Sequence, residues 1–163
     1  MKKVVSGIML MLFLICMLTL AFNIRAAKSE RTTIMVPDQY TTIREAIKNA
    51  GSGDIISVAS GVYCERIVVT KGVSLIGENP YSTIIDGNGS GTVLSIESNH
   101  VFIENFTIRN GDYGIELAWS YNTTLHNVHM TNNTFNFQIL GHDFFEFTHE
   151  IDTTNTVDGK PIY

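Results

Sequence analysis

Two histidines and a methionine lie close together in the sequence, at His126, His129 and Met130. Imidazole nitrogen and thioether sulfur are ligands that copper accepts. If the segment is a β-strand bent at Asn127, side-chain alternation places Met130 in the core and both imidazoles on the outer surface. Two outward histidines without a third ligand make a weak site. We therefore predict no bound metal and no other cofactor, and His126 and His129 are the candidate ligands if a metal does bind.

Arg109, Asp112 and Glu116 have residue types and a spacing that could support proton transfer. A carboxylate beside a guanidinium is one arrangement that acid–base catalysis uses. A solvated turn accounts for the same residues, and we favour that interpretation, so no catalytic residue is predicted. Whether the chain is an enzyme stays open at this point, with the balance towards a non-enzyme.

Two aromatic residues, Trp119 and Tyr121, follow an apolar stretch that ends at Leu117. A turn at this point would expose both rings, and exposed aromatic faces stack on sugar rings. We predict these two residues as carbohydrate-binding candidates. A second aromatic group is predicted instead to pack in the core or over one end of the fold: Phe144, Phe145 and Phe147.

Asparagine is frequent in the second half of the chain, and several asparagines precede a serine or threonine. Asn-x-Ser/Thr triplets are glycosylation acceptors in exported chains. The predicted glycosylation candidates are Asn88, Asn122 and Asn133. Asn105 is predicted to lie at a repeated inward bend and is therefore a poor acceptor.

Residues 1–27 differ in composition from the rest of the chain. Lys2 and Lys3 precede an almost unbroken apolar run over residues 4–22, which is typical of a signal peptide and is also long enough for an N-terminal membrane anchor. We therefore predict an exported, extracytoplasmic protein, secreted or at the cell surface. Membrane contact is expected only through an uncleaved N-terminal segment.

The remainder of the chain is acidic. Of the 11 Lys+Arg, three lie in residues 1–27, which contain none of the 16 Asp+Glu, so residues 28–163 have a net charge of 8 − 16 = −8. An acidic surface repels phosphate backbones, which argues against a nucleic-acid partner. Because Cys64 is the single cysteine after residue 27, no internal disulfide is expected.

One helix is predicted over residues 42–50, because Thr42-Ile43-Arg44-Glu45 has the capping-box pattern and Gly51 ends the apolar stripe. Short apolar segments separated by Gly, Asn, Asp and Ser fill the rest of the chain, and this pattern is typical of strands and turns. The predicted strands are 33–36, 54–59, 66–70, 73–76, 83–85, 92–96, 101–103, 106–108, 115–117, 124–125, 128–130 and 137–140.

A shift of 22 residues superposes apolar on apolar residues and asparagine on asparagine. It brings Ile103 onto Leu125 and Asn105 onto Asn127, and it predicts that Leu125 in turn lies beneath Phe147. A fixed shift is typical of a solenoid, in which each turn, here called a coil, stacks on the previous one at about 4.8 Å.

We therefore predict an all-β fold, a right-handed parallel β-helix. Residues 28–53 form a first strand and an amphipathic helix that caps the first coil, residues 54–151 form the coils, and residues 152–163 form a connector. One coil is longer, with its extra residues in turns at 78–86. No cap is evident at the other end, so self-association through the open C-terminal coil is expected.

The stretch from Val36 to Ile47, together with residues 53–58, 61–63 and 73–78, resembles the start of pectin-lyase-like β-helix proteins. It is most similar to the NosD-type family, described as periplasmic copper-binding β-helix proteins and found among archaeal surface proteins. The resemblance implies the right-handed β-helix, implies copper only through the family description, and implies a short or truncated member in which 152–163 leads into further coils.

These observations favour an exported surface or envelope β-helix, non-enzymatic, that contacts polysaccharide or other surface proteins. Two alternatives stay open. One is a polysaccharide-active lyase or epimerase with its catalytic coils outside this chain, and the other is an envelope copper-handling protein of the NosD type. Fold alone does not decide among them, because the same fold carries many functions.

Overall fold

The computed structural model describes residues 30–162 together with Met9 and Met11. The chain divides into two units, Met1–Glu30 and Arg31–Tyr163, and the fold below is that of the second unit. Met9 and Met11 are helical and exposed, while the rest of the predicted signal or anchor segment lies outside the described residues. Within the described part of the chain, no helix combines the length and the hydropathy needed to cross a membrane.

Short strands make up most of the second unit. A helix, α1, spans Ile43–Asn49, and a 3₁₀ turn spans Phe144–Phe147. The strands are β1 Thr33–Val36, β2 Ile55–Val58, β3 Gly61–Tyr63, β4 Ile67–Val69, β5 Ser74–Gly77, β6 Thr83–Asp86, β7 Thr92–Ile96, β8 Phe102–Arg109, β9 Tyr113–Ala118, β10 Thr124–Thr131, β11 Phe135–Leu140, β12 Glu150–Ile151, β13 Thr156–Val157 and β14 Lys160–Pro161.

The strands stack in two sheets. The first follows the order β1-β2-β5-β8-β10-β13-β14, with β3 and β6 joining beside β8 and β12 pairing with β10. The second follows the order β4-β7-β9-β11. Among the described strands, the β13–β14 hairpin is antiparallel and the other pairs are parallel. The result is a parallel-stranded solenoid of about five turns with little helix, so the sequence-based prediction of a β-solenoid is confirmed.

The 22-residue repeat sets the register of the central coils. Leu125 lies opposite Ile103 across the β8–β10 pair, and Phe137 lies opposite Ile115 across the β9–β11 pair. Because strand side chains alternate, this register stacks the inward residues of successive coils into one continuous core. The largest fully buried side chains that the strands contribute to that core are Ile56, Ile67, Leu75, Ile85, Leu94, Ile96, Ile103, Phe106, Ile108, Ile115 and Leu117.

Helix α1 is held by a partner that the sequence pattern does not predict. Half of the predicted capping box forms, since the Glu45 N–H donates to Thr42 Oγ1 (3.2 Å), whereas the Glu45 carboxylate accepts from Thr41 Oγ1 (3.3 Å). The carboxylate of Glu65, one coil later, accepts helical N–H groups that include that of Ile43 (3.0 Å). The helix packs against β1, β2 and β4 through a buried face: Ile43, Ala46 and Ile47.

Asparagines at positive φ bend the chain at equivalent points in successive coils. Asn105 (φ 61°) and Asn127 (φ 52°) lie within β8 and β10, and Asn127 Nδ2 donates to Asn105 Oδ1 (2.7 Å). A second ladder follows the ends of these strands, where Asn132 Nδ2 donates to Asn110 Oδ1 (2.5 Å) and Asn110 Nδ2 donates to Asp86 Oδ2 (2.7 Å). In each bond, the later coil supplies the donor. The stacking of Asn127 on Asn105 that the 22-residue shift predicts is therefore confirmed.

Residues 78–86 are the turn-rich insert of the longer coil, and the strand predicted within it at 83–85 forms. Their second half forms β6, which pairs with β3 and β8. The irregular loop is thus confined to residues 78–82, and it places the ring of Tyr81 over that of His129, with the centroids 5.0 Å apart.

The register changes after β11. Leu125 lies opposite Ile151 and not Phe147, so the extended 22-residue prediction is wrong at this point. Strands β12 and β13 both pair with β10, and the buried Asn155 donates through Nδ2 to the Leu125 carbonyl (2.7 Å). Residues 150–157 therefore extend the first sheet. In the second sheet β11 pairs with β9 alone among the described strands, and self-association through this edge stays a prediction.

Candidate functional site

Two segments from neighbouring coils lie side by side next to β11. The N–H of Trp119 donates to the Leu140 carbonyl (2.8 Å), and the N–H of Asn122 donates to the Thr148 carbonyl (2.8 Å). These bonds join the turn at 119–122 to the 3₁₀ turn and its flanks. We call the exposed aromatic side chains of the two segments the aromatic corner: Trp119, Tyr121, Phe144, Phe145 and Phe147.

The exposure of the side chains in the aromatic corner agrees with one sequence-based prediction and contradicts another. Trp119 and Tyr121 have exposed rings, as a turn after the β9 strand requires. The three phenylalanines are also exposed, and Phe144 reaches 81%, so the prediction that they pack in the core or over an end is wrong. The 3₁₀ turn that holds them lies outside the strand alternation, and its rings therefore do not alternate between core and solvent.

A pocket of about 460 Å³ opens within the aromatic corner, lined by Tyr121, Asp143, Phe145 and Glu146. One oxygen of Glu146 accepts the N–H groups of His142 (2.6 Å) and Asp143 (3.1 Å). These backbone bonds lower the pKa of the Glu146 carboxyl below its usual value. The pocket thus combines two aromatic rings with two carboxylates, one of them fixed in position and ionised.

The wall formed by Asp143, Phe145 and Glu146 follows only in part from the repeat. Asp143 follows Tyr121 by 22 positions, the same spacing that pairs Ala118 with Leu140 between β9 and β11, whereas Phe145 and Glu146 are placed by the 3₁₀ turn that comes next. Tyr121 itself is fixed by the Asn99 side chain of the preceding coil, whose Oδ1 accepts the Tyr121 N–H (3.0 Å). Stacking of coils therefore sets the geometry of the pocket.

A second, polar groove of about 600 Å³ crosses several coils beside the asparagine ladder. Burial raises the pKa of Asp86 at its floor, but bonds from the Asn88 N–H, Arg109 and Asn110 outweigh burial and hold the pKa below its usual value. The groove is lined by Cys64, Asp86, Asn88, Gly89, Asn110, Gly111, Asp112, Asn132, Asn133 and Thr134.

Each charged residue that the sequence suggests for proton transfer is hydrogen-bonded to a partner outside that group of three. Arg109 Nε donates to Asp86 Oδ2 (2.8 Å), and Asp112 accepts the Gly91 N–H (2.7 Å). Glu116 accepts a short hydrogen bond from Gln138 on β11. The structure thus pairs Arg109 with Asp86, a partner one coil away, and does not bring the three suggested residues together as an acid–base group.

The two candidate metal ligands have different surroundings. His126 lies between two carboxylates, with Nδ1 3.0 Å from Glu104 Oε1 and Nε2 3.8 Å from Asp152 Oδ2. His129 Nδ1 lies 2.7 Å from Thr156 Oγ1, and its Nε2 is buried without a hydrogen-bond partner. Among the described residues, no three His, Cys, Asp or Glu side chains are arranged to hold a metal ion.

We expect that Cu²⁺ and Zn²⁺ will not bind tightly to the purified chain, because Tyr81 covers the His129 imidazole and no group of three ligand side chains is present among the described residues. Isothermal titration with each ion should show no saturable one-to-one site tighter than about 1 μM. A tight isotherm that disappears in a His126→Ala, His129→Ala variant would contradict this expectation.

Two histidines are expected to make the fold sensitive to mild acid. Burial lowers the pKa of His129 and of His149, so the unfolded chain takes up protons at a higher pH than the folded chain. Stability should therefore fall as the pH decreases below about 6.5 and towards the lowered pKa values. Melting temperatures measured across this range should fall less steeply in a His129→Gln, His149→Gln variant, and parallel curves for variant and parent would disprove the assignment.

The predicted glycosylation candidates differ in how their amides are engaged. Asn88 is exposed in the polar groove, whereas Asn122 Nδ2 lies 2.7 Å from His100 Nδ1. The prediction of Asn133 as an acceptor is wrong, because the Asn-x-Ser/Thr triplet at this position begins at Asn132. The side-chain amide of Asn132 donates to Asn110 in the ladder. Asn88 therefore has the least engaged amide of the three triplets.

Comparison with known proteins gives one informative relative. No family model matches the chain. A protein named cell surface glycoprotein, from Methanothermus fervidus, is 31% identical over 126 residues, which cover 76% of this chain and 20% of that protein. The chain thus spans about a fifth of the length of this relative. The protein is a parallel β-solenoid that is similar, over most of its length, to part of a cell surface glycoprotein.

Proposed function

We propose that this chain is an exported, non-enzymatic β-helix of the cell surface that binds glycans through the aromatic corner. The observation that carries the proposal is the pocket in which Tyr121 and Phe145 present exposed rings beside Asp143 and Glu146. Aromatic faces stack on the apolar faces of sugar rings, and carboxylates accept hydrogen bonds from sugar hydroxyl groups. Monomeric proteins rarely leave large aromatic groups exposed together unless the surface binds something.

The proposal also includes the handedness of the solenoid, its superfamily, the role of α1 and the role of residues 1–27. We infer a right-handed helix of the pectin-lyase-like superfamily, of NosD type, with α1 as the cover of the first coil and residues 1–27 as the export signal or anchor. The handedness follows the strong preference of parallel crossover connections. The buried face of α1 against β1, β2 and β4 supports its role as a cover, and the similarity to a cell surface glycoprotein supports export.

A glycan array probed with the purified chain tests the proposal. We expect binding to a defined subset of glycans, weakened about tenfold by Tyr121→Ala, since stacking of one ring contributes roughly this much. Trp119→Ala measures how far the site extends beyond the pocket. Tyr81→Ala is the control, because Tyr81 is an exposed tyrosine that stacks on His129 and does not belong to the aromatic corner.

Two results would refute glycan binding at this surface. One is the absence of any array signal from a chain that is folded by circular dichroism. The other is binding that Tyr121→Ala and Tyr81→Ala reduce equally, since that outcome would place the contact outside the aromatic corner.

A further inference from the structure

We propose that the pocket at Tyr121 and Phe145 selects glycans that carry free, protonated amino groups, such as oligomers of 2-amino-2-deoxyhexoses. This inference rests on the proposed glycan binding and adds the charge of the ligand.

The carboxylates of the pocket are placed to bind a cation beside an aromatic ring. Asp143 and Glu146 line the same pocket as the rings of Tyr121 and Phe145. One Glu146 oxygen accepts two backbone N–H groups, which leaves its other oxygen for a ligand and prevents the side chain from turning away. An ammonium group on a sugar stacked at the rings would form a charge-assisted hydrogen bond with this carboxylate. It would also gain from the electron-rich ring faces.

The segment that contains the pocket carries carboxylates without compensating lysine or arginine. Residues 110–159 contain no Lys or Arg. Over the same segment the carboxylates are Asp112, Glu116, Asp143, Glu146, Glu150, Asp152 and Asp158. A surface with one sign of charge attracts ligands of the opposite sign and raises their local concentration.

This distribution of charge discriminates among glycans of similar shape. An N-acetylated sugar keeps the ring contacts but loses the positive charge, and a uronic acid introduces a like charge beside Asp143 and Glu146. The order of affinity expected from these contacts is therefore amino sugar first, N-acetylated sugar second and uronate last.

Calorimetric titration with three oligosaccharides of equal length tests the order. The probes are oligomers of glucosamine, N-acetylglucosamine and galacturonic acid, used at low salt and at a pH where the amine is protonated. We expect the glucosamine oligomer to bind about tenfold more tightly than its N-acetylated counterpart. The preference should shrink when the ionic strength is raised, because exposed charges are screened.

Two isosteric substitutions test the role of the pocket carboxylates. Glu146→Gln keeps an oxygen that accepts the His142 and Asp143 N–H groups, so the loop geometry is retained while the charge is lost. Together with Asp143→Asn, it should reduce the preference for glucosamine to about threefold or less, because the glucosamine oligomer loses more affinity than the N-acetylated oligomer does. Asp38→Asn is the matched control, since it removes one exposed carboxylate in the turn after β1 and should leave the preference at its parental value.

The outcomes separate this inference from the proposed function. Equal affinity for the glucosamine and N-acetylglucosamine oligomers would overturn the amino-sugar preference and leave glycan binding in place. A preference that survives in the Asp143→Asn, Glu146→Gln variant would also overturn it, because another surface would then bind the amine. If none of the three oligosaccharides binds and the glycan array is blank, both proposals fail.

Discussion

Val69→Asp is expected to prevent folding of the solenoid, whereas Val68→Asp leaves it folded. The two valines are neighbours in β4, but Val69 is fully buried opposite Ile96 of β7, and Val68 is 45% exposed. An unpaired carboxylate in the core costs several kcal/mol, which is a large part of the ~5–15 kcal/mol that stabilises a domain. Thermal unfolding followed by circular dichroism should show a cooperative transition for the parent and for Val68→Asp only.

The two variants differ mainly in whether the substituted side chain points into the core or into solvent. Residue type, substitution and strand are the same, and the two positions are one residue apart. Equal losses of melting temperature would mean that the alternation between core and solvent in β4 is not as described. An exposed valine changed to aspartate in a strand is expected to cost no more than about 1 kcal/mol.

Asn127→Ala is expected to destabilise the solenoid by about 2 kcal/mol, through two effects that a second variant separates. Alanine removes the amide that donates to Asn105 Oδ1 (2.7 Å), which contributes about 1 kcal/mol. Alanine also adopts the φ of 52° at this bend at a cost of about 1 kcal/mol. Asn127→Gly removes the amide alone, because glycine adopts this conformation readily.

Urea unfolding of the parent and both variants gives the two contributions. The glycine variant should lie about midway between the parent and the alanine variant. If glycine is as stable as asparagine, the ladder bond contributes nothing and the residue is required only for its backbone conformation. If glycine is as unstable as alanine, the bend carries no strain and the side-chain bond accounts for the whole effect.

The central part of the solenoid could be predicted from the sequence because its coils have equal length. Between β8 and β10 each inward residue recurs after 22 positions, and the pairing of Leu125 with Ile103 follows directly. Equal spacing also predicts the bond between Asn127 and Asn105. A solenoid buries its core only through such stacking, so a repeated register in sequence is also a repeated register in space.

Prediction fails where the coil length changes. Beyond β11 the chain inserts a 3₁₀ turn, and Leu125 meets Ile151 after 26 residues. The insertion loop that carries Tyr81 onto His129 belongs to the same class, because it makes its own coil longer than the next. The exposed Phe144 lies in the inserted 3₁₀ turn. In the candidate pocket, the 22-residue shift relates Tyr121 to Asp143, whereas Phe145 and Glu146 lie in the turn that the repeat does not predict.

Three side-chain amide bonds between coils share one direction along the chain. Asn127 donates to Asn105, Asn132 donates to Asn110, and Asn110 donates to Asp86. In these three bonds the acceptor belongs to the part of the chain that is synthesised first. If the coils order from the amino end, each new coil therefore meets an oxygen that the preceding coil already holds in place. Bonds in this direction would favour vectorial folding, in which each coil is the template for the next.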